Sequence, residues 1–126
     1  MIEGNILLIE DDDDDQLIFK DALKEISFGY DCWMASNGLE GLQRLDSEKE
    51  LPGIVFLDLN MPLMNGLEFI DQIRQNEKYK NIPIIIFSTS DNPVDKKRLM
   101  KMGASRFITK SADFKKLIET LAEILK

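Results

Sequence analysis

Residues Ile54 to Met61 read IVFLDLNM, with Pro62 and Gly66 close behind. Four apolar side chains, Ile54, Val55, Phe56 and Leu57, run into a single acid, Asp58. A continuous bulky apolar run that ends at structure-breaking residues predicts a short strand buried on both faces. An ionised carboxylate inside such a strand would lose its hydration, at a cost of roughly several kcal/mol without a partner. Asp58 is therefore expected at the carboxyl end of the strand, where the chain leaves the sheet. In open sheets of parallel strands, ligands bind at that edge.

Working outward, four more apolar runs alternate with helical stripes. Asn5 to Ile9 predicts strand one. Asp13 or Asp14 can cap the helix that follows, with Leu17, Ile18, Ala22, Leu23 and Ile26 facing inward and Gly29 ending it. Cys32 to Ala35 predicts strand two. Asn37-Gly-Leu-Glu40 then opens a helix through about Leu45, with Asn37 as cap and Glu40 completing a capping box. Leu39, Leu42 and Leu45 form its apolar face. After a loop from Glu48 to Gly53 comes strand three, Ile54 to Leu57. The same four letters, Asn65 to Glu68, start the next helix, with Phe69, Ile70 and Ile73 inward. The strands flanking the two copies do not match, so they are one capping solution used twice, not a sequence repeat.

Ile84 to Phe87 predicts strand four, ending in Ser88-Thr89-Ser90. Asp91 or Asn92 caps helix four, with Pro93 suited to its first turn. That helix carries Val94, Leu99, Met100 and Met102 and stops at Gly103. Arg106 to Thr109 predicts strand five, followed by Lys110. A last helix runs from about Ala112 to Leu125, with Phe114, Leu117, Ile118, Leu121 and Ile124 or Leu125 inward. Strands alternating with helices imply an α/β fold with a parallel sheet covered on both faces through right-handed crossovers. Five such units predict a doubly wound, flavodoxin-like (βα)5 domain with strand order 2-1-3-4-5. No G-x-G-x-x-G follows strand one, so a dinucleotide site is not supported.

Composition narrows the function. The 126 residues suit one domain spanning the whole chain, at 44% hydrophobic and 31% charged. The net charge of −7 disfavours nucleic acid and anionic membranes as partners. A lone cysteine, Cys32, fits a reducing cytoplasm and excludes an internal disulfide. There is no histidine, which removes Ser-His-Asp triads and the usual zinc sites. The acidic N-terminal region does not resemble a signal peptide, and no apolar run is long enough to span a bilayer.

All carboxyl ends of a parallel sheet share one rim. Strand one brings Glu10 and Asp11, strand three Asp58 and Asn60, strand four Ser88 and Thr89, strand five Lys110. Neighbouring carboxylates repel unless some protonate or a cation joins them. An all-oxygen donor set points to a hard cation, Mg2+ before Ca2+. With a hydroxyl and a lysine beside it, the rim suits phosphoryl transfer to Asp58. Singly, each residue has a plainer reading. Asp12 to Asp15 suit a helix N-terminus, Ser88 to Ser90 and Asn60 suit turns, Lys110 suits the surface, and Phe107 suits the core. The signal is their joint placement, one suitable group per strand end.

Taken together, ILLIEDD, IVFLDLNMPLMNGLEF, PIIIFSTS and GASRFITKS resemble a response-regulator receiver domain of two-component signalling, over essentially all of Asn5 to Lys126. The resemblance implies that Asp58 is phosphorylated and that Glu10 and Asp11 are the acidic pair. It implies Mg2+ bound by Asp11, Asp58 and the backbone carbonyl of Asn60, with Glu10 acting through water. Ser88 would contact the phosphoryl group, Phe107 would be the switch aromatic, and Lys110 would bind phosphate. The phosphoryl donor would be a sensor histidine kinase or histidine phosphotransfer protein. The domain would not be an enzyme beyond accepting and slowly hydrolysing its own phosphoryl group.

No output domain is expected, so the output would be a downstream protein bound in trans. Stand-alone receivers of this kind include some that pair with phytochrome-type kinases. The basic helix four (Lys96, Lys97, Arg98, Lys101) is a candidate for a partner or homodimer face built from helix four, strand five and helix five. A pseudo-receiver that only binds proteins is the alternative. A dehalogenase-type phosphohydrolase is disfavoured because its nucleophile lies on the first strand. Bound flavin is disfavoured because the acids after strand one would repel its phosphate. Two departures stand out. The family usually has proline after the lysine, with a bond that is often cis, and this chain has Ser111. Cis before a non-proline residue costs about 2.5–4 kcal/mol, which leaves the loop's path, and a trans bond, open. Phe107 lacks the hydroxyl of a tyrosine switch.

Overall fold

The structure, a computed structural model, describes residues 4–26, 31–89 and 91–125. Its elements alternate as expected: β1 (Ile6–Ile9), α1 (Asp13–Ile26), β2 (Cys32–Ala35), α2 (Gly38–Ser47), β3 (Ile54–Leu57), α3 (Gly66–Gln75), β4 (Ile84–Ser88), α4 (Pro93–Lys101), β5 (Arg106–Thr109) and α5 (Phe114–Leu125). The five strands are parallel in the order β2-β1-β3-β4-β5, the flavodoxin-like (βα)5 arrangement. Gly29 and Ser90 lie outside the described residues.

Strand residues alternate between two half-cores, as the period of two requires. Leu7, Ile9, Val55, Leu57, Ile84 and Ile86 face α2, α3 and α4 through Leu45, Phe69, Ile70, Ile73 and Leu99. Ile6, Leu8, Ile54, Phe56, Ile85 and Phe87 face α1 and α5 through Phe19, Ala22, Ile26, Leu117, Leu121 and Leu125. Burying each such side chain stabilises the fold by about 1.5–3 kcal/mol. The central strands therefore read as unbroken apolar runs because neither face meets water.

Several local expectations are corrected. Leu17 and Ile18 are 58% and 45% exposed, whereas Phe19 is fully buried. The inward stripe of α1 is Phe19, Ala22, Leu23 and Ile26. Leu39 of α2 and Phe114 of α5 are exposed, and in α4 only Leu99 is buried while Val94 and Met100 face solvent. The α1 cap is Asp12, not Asp13 or Asp14: its Oδ1 accepts the N–H groups of Asp14 at 2.9 Å and Asp15 at 3.1 Å. In α2, Asn37 Oδ1 accepts the Glu40 N–H at 2.9 Å, but the Glu40 carboxylate takes the Asn37 side-chain amide, not its backbone N–H. The reciprocal capping box is complete only in α3, between Asn65 and Glu68. Asn92 caps α4, with Pro93 at its start. The last helix begins at Phe114, where Asp113 accepts the Lys116 N–H at 3.1 Å.

The two NGLE glycines close on the same loop, the one between β3 and α3. The Gly38 N–H donates to the Met64 carbonyl at 2.9 Å, and the Gly66 N–H donates to the Leu59 carbonyl at 3.0 Å. A side chain at Gly38 would meet Met64 at 2.7 Å, and one at Gly66 would meet the Asp58 carbonyl oxygen at 2.6 Å. Within that loop the Met64 N–H donates to the Pro62 carbonyl at 2.7 Å, and Leu63 adopts φ +65°. This is a tight three-residue turn of the strained hand. The segment after Asp58 is thereby pinned from both sides. Among the described residues no peptide bond is cis, so Lys110–Ser111 is trans. No described helix is long and apolar enough to cross a membrane.

Candidate functional site

Strand register assembles the rim. Ile9 of β1 lies beside Leu57 of β3, so the next residues, Glu10 and Asp58, emerge as neighbours. The Asp58 N–H donates to the Ile9 carbonyl at 3.0 Å, and the Glu10 N–H donates to the Ala35 carbonyl at 2.9 Å. These bonds extend the ladder one step past the strands. Glu10 and Asp58 are 1% and 8% exposed, while Asp11 is exposed. Asp58 Oδ1 accepts the Leu59 N–H at 2.9 Å, which orients the carboxylate. The Gln16 amide donates to the Glu10 carbonyl at 2.6 Å and ties α1 to this corner.

From the far side, β5 delivers Lys110. Ser88 ends β4 beside Thr109, and the Lys110 N–H donates to the Ser88 carbonyl at 2.7 Å. Ser88 is fully buried. The Lys110 ammonium lies over the Phe87 ring, its Nζ 5.5 Å from the ring centre. Its ammonium donates to Glu10 Oε1 and to Asp15 Oδ2, the latter at 2.8 Å, and stands 3.8 Å from Asp58 Oδ1.

The charges are out of balance. Burial, with the charge of Asp58 adding to it, pushes the Glu10 carboxyl up to about 7 against the pull of Lys110. Burial also raises Asp58, and Lys110 and the Leu59 N–H offset this only in part. For Lys110 burial pulls downward, but the bonds to Asp15 and Glu10 and the charge of Asp58 win and hold its pKa above the usual value. One ammonium thus serves several carboxylates and offsets the burial of Glu10 and Asp58 only in part, so both acids stay raised.

One oxygen from each of Glu10, Asp11 and Asp58 can lie within 4.8 Å of the others. Three hard oxygen donors, two of them buried and short of compensating charge, fit a divalent cation that prefers oxygen. Asn60 is exposed in the loop two residues beyond Asp58. Phe107 sits apart, midway along β5 beside Ile86, half-buried against the core, with the Lys96 ammonium 5.8 Å from its ring centre. The rim thus brings Glu10, Asp11, Asp58 and Lys110 together, with Ser88 at the adjoining strand end. The sequence reading missed Asp15, which it placed among the helix N-terminal charges. Its contact with Lys110 spans 95 residues, and no local pattern signals it.

Fold and site together define a doubly wound α/β domain whose carboxyl edge carries a carboxylate cluster and one lysine. Residues 6–122 match the family model for the response regulator receiver domain, and the chain belongs to that family. It is 33% identical over 105 residues to the sensor histidine kinase CheAY of Helicobacter pylori, covering 83% of this chain but only 13% of CheAY. It is 29% identical over 124 residues to the response regulator Rcp1 of Synechocystis, covering 94% of this chain and 84% of Rcp1. The phosphorylated cyanobacterial phytochrome response regulator RcpA superposes with a TM-score of 0.87 at 28% identity, covering 97% of this chain and 91% of RcpA. The Mn2+-bound form of Rcp1 superposes with a TM-score of 0.85, also at 28% identity and with the same coverage. Receiver domains bind a divalent metal, work with histidine kinases or phosphotransfer proteins and downstream targets, and are not enzymes in the ordinary sense.

Proposed function

We propose that Asp58 accepts a phosphoryl group from a histidine of a sensor kinase or phosphotransfer protein, and that the phosphorylated domain then binds a downstream protein. The observation that carries this is the Asp58 carboxylate at the end of β3, between the Glu10–Asp11 pair and a lysine 3.8 Å away. These 126 residues contain no histidine, so none of them supplies the donor imidazole. An Asp58 oxygen attacks phosphorus in line, the P–O bond forms, and the P–N bond to the donor imidazole breaks. Lys110 offsets charge on the transferred oxygens, and the Ser88 hydroxyl donates to one of them. Asp11, Asp58 and the Asn60 carbonyl would hold Mg2+ directly, and Glu10 would hold it through water. Bound there, the ion supplies charge neutralisation as carboxylate and phosphoryl group approach. Hydrolysis by water returns the free carboxylate slowly.

Phe107 and Ser88 would carry the change of state outward, with the α4–β5–α5 face as the surface for a target or for a homodimer. The likeness to Rcp1 and RcpA supports a phytochrome-type kinase as the class of donor. The same likeness supports a cytoplasmic role.

Incubation with acetyl phosphate and Mg2+ tests this. Wild type should acquire one base-labile phosphoryl group and Asp58→Asn none. No labelling of wild type would leave the chain a protein-binding pseudo-receiver. Equal labelling of Asp58→Asn would place the acceptor elsewhere.

A further inference from the structure

We infer that Asp15 is a positioning residue for Lys110, holding the ammonium so that its remaining N–H faces Asp58. This rests on the reading of Asp58 as phosphoacceptor and adds to it a residue outside the carboxylate cluster. A lysine ammonium has three donors on a flexible four-carbon stem. Here Glu10 takes one and Asp15 Oδ2 takes another at 2.8 Å. Asp58 Oδ1, at 3.8 Å, is beyond hydrogen-bond reach. The third donor is thus left for the gap beside Asp58, which an oxygen of a phosphoryl group on that carboxylate would enter. Lys110 can make that bond without releasing either anchor.

Asp15 stands in the first turn of α1, where Asp12 accepts its backbone N–H at 3.1 Å, and α1 is seated in the core by Phe19. In the loop behind Lys110, the Ser111 hydroxyl oxygen accepts the Asp113 N–H at 3.1 Å and makes no contact with the ammonium. Stabilisation of the helix end does not require the contact, because Asp13 and Asp14 supply negative charge in the same turn.

Sign separates a tether from a bystander charge. A bare carboxylate near the rim repels an anionic phosphodonor, so its removal should speed labelling. Loss of a tether should slow it. With the protein at saturating Mg2+, the second-order rate of labelling by acetyl phosphate would be measured for wild type, Asp15→Ala, Asp15→Asn, Asp14→Asn, Lys110→Ala and the Asp15→Ala/Lys110→Ala pair.

Asp15→Ala should slow labelling by about tenfold, the scale of one charge-assisted hydrogen bond. Asp15→Asn, which removes the charge and leaves side-chain volume, should also be slow. Asp14→Asn should match wild type or exceed it. In the Lys110→Ala background, Asp15→Ala should have no further effect, because Asp15 acts through the lysine. Labelling of both Asp15 variants at or above the wild-type rate overturns the inference, and so does an undiminished loss in the Lys110→Ala background. An unlabelled wild type overturns the phosphoacceptor reading, and this inference with it.

Discussion

Gly66 shows how a single missing side chain holds the site. A Cβ there would lie 2.6 Å from the Asp58 carbonyl oxygen and 3.0 Å from Leu59 Cα, both backbone atoms. An alanine would have to push the segment after Asp58 away from α3. At Gly41 a Cβ would meet Ile9 Cδ1 at 2.5 Å and the Phe69 ring at 3.1 Å, and a methyl tip can move. Gly66→Ala should therefore cost more than Gly41→Ala, on the order of 1–3 kcal/mol for the strained site. Urea unfolding of the two variants measures this, and a larger loss at Gly41 would refute the comparison. The identity of the four NGLE residues was legible in the sequence. That both glycines press on one loop was not, because the contact joins elements far apart in the chain.

At the scale of elements, α1 is the instructive case. Its sequence offers Leu17, Ile18, Phe19, Ala22, Leu23 and Ile26, more apolar positions than one face can bury. Periodicity alone leaves the rotation of the helix about its axis undecided. Packing decides it: the Phe19 ring stands edge-on to Phe56, centroids 5.0 Å apart at 62°, and 6.1 Å from Phe87. Phe19→Ala should cost about 3–5 kcal/mol, whereas Leu17→Ala should change stability by less than about 0.5 kcal/mol. Comparable losses for the two in chemical denaturation would contradict the observed rotation. The last helix tells the same story, since Leu117, Leu121 and Leu125 are buried while Phe114 is exposed. One turn at a helix end can satisfy the periodic pattern and still project beyond the sheet it covers.

For the whole molecule, the cost of the site appears as a dependence of stability on pH. Glu10 is raised from 4.5 to about 7, and Asp58 is raised as well. Between those values the native state keeps protons that the unfolded chain has released. Stability therefore falls as pH rises from about 4.5 to about 7. In EDTA the melting temperature should be higher near pH 5 than near pH 7.5, roughly the two ends of that window. A divalent cation bound to the native state alone opposes the trend, so Mg2+ should raise the melting temperature most at the upper end. A melting temperature that climbs toward pH 7.5 in EDTA, or one that Mg2+ leaves unchanged there, would contradict this account of the rim.

The amino-acid sequence by itself determined the alternation of strands and helices, the parallel (βα)5 plan, and the convergence of Glu10, Asp11, Asp58 and Lys110. Each follows from local facts. Apolar runs mark buried strands, caps and glycines mark helix ends, and a parallel sheet brings every strand's last residue to one edge. Only the tertiary structure decided the rotation of α1, the solvent-facing Leu39 and Phe114, and the partnership of Asp15 with Lys110. The first two depend on how each helix packs against the sheet, and the last on how far the lysine after β5 reaches across β4 and β3 toward β1 and the start of α1. Reach and rotation are set by packing between distant segments, and no short window of sequence encodes them. Asp58 could be found from its own strand. The residue that aims its lysine could be found only after the chain had folded.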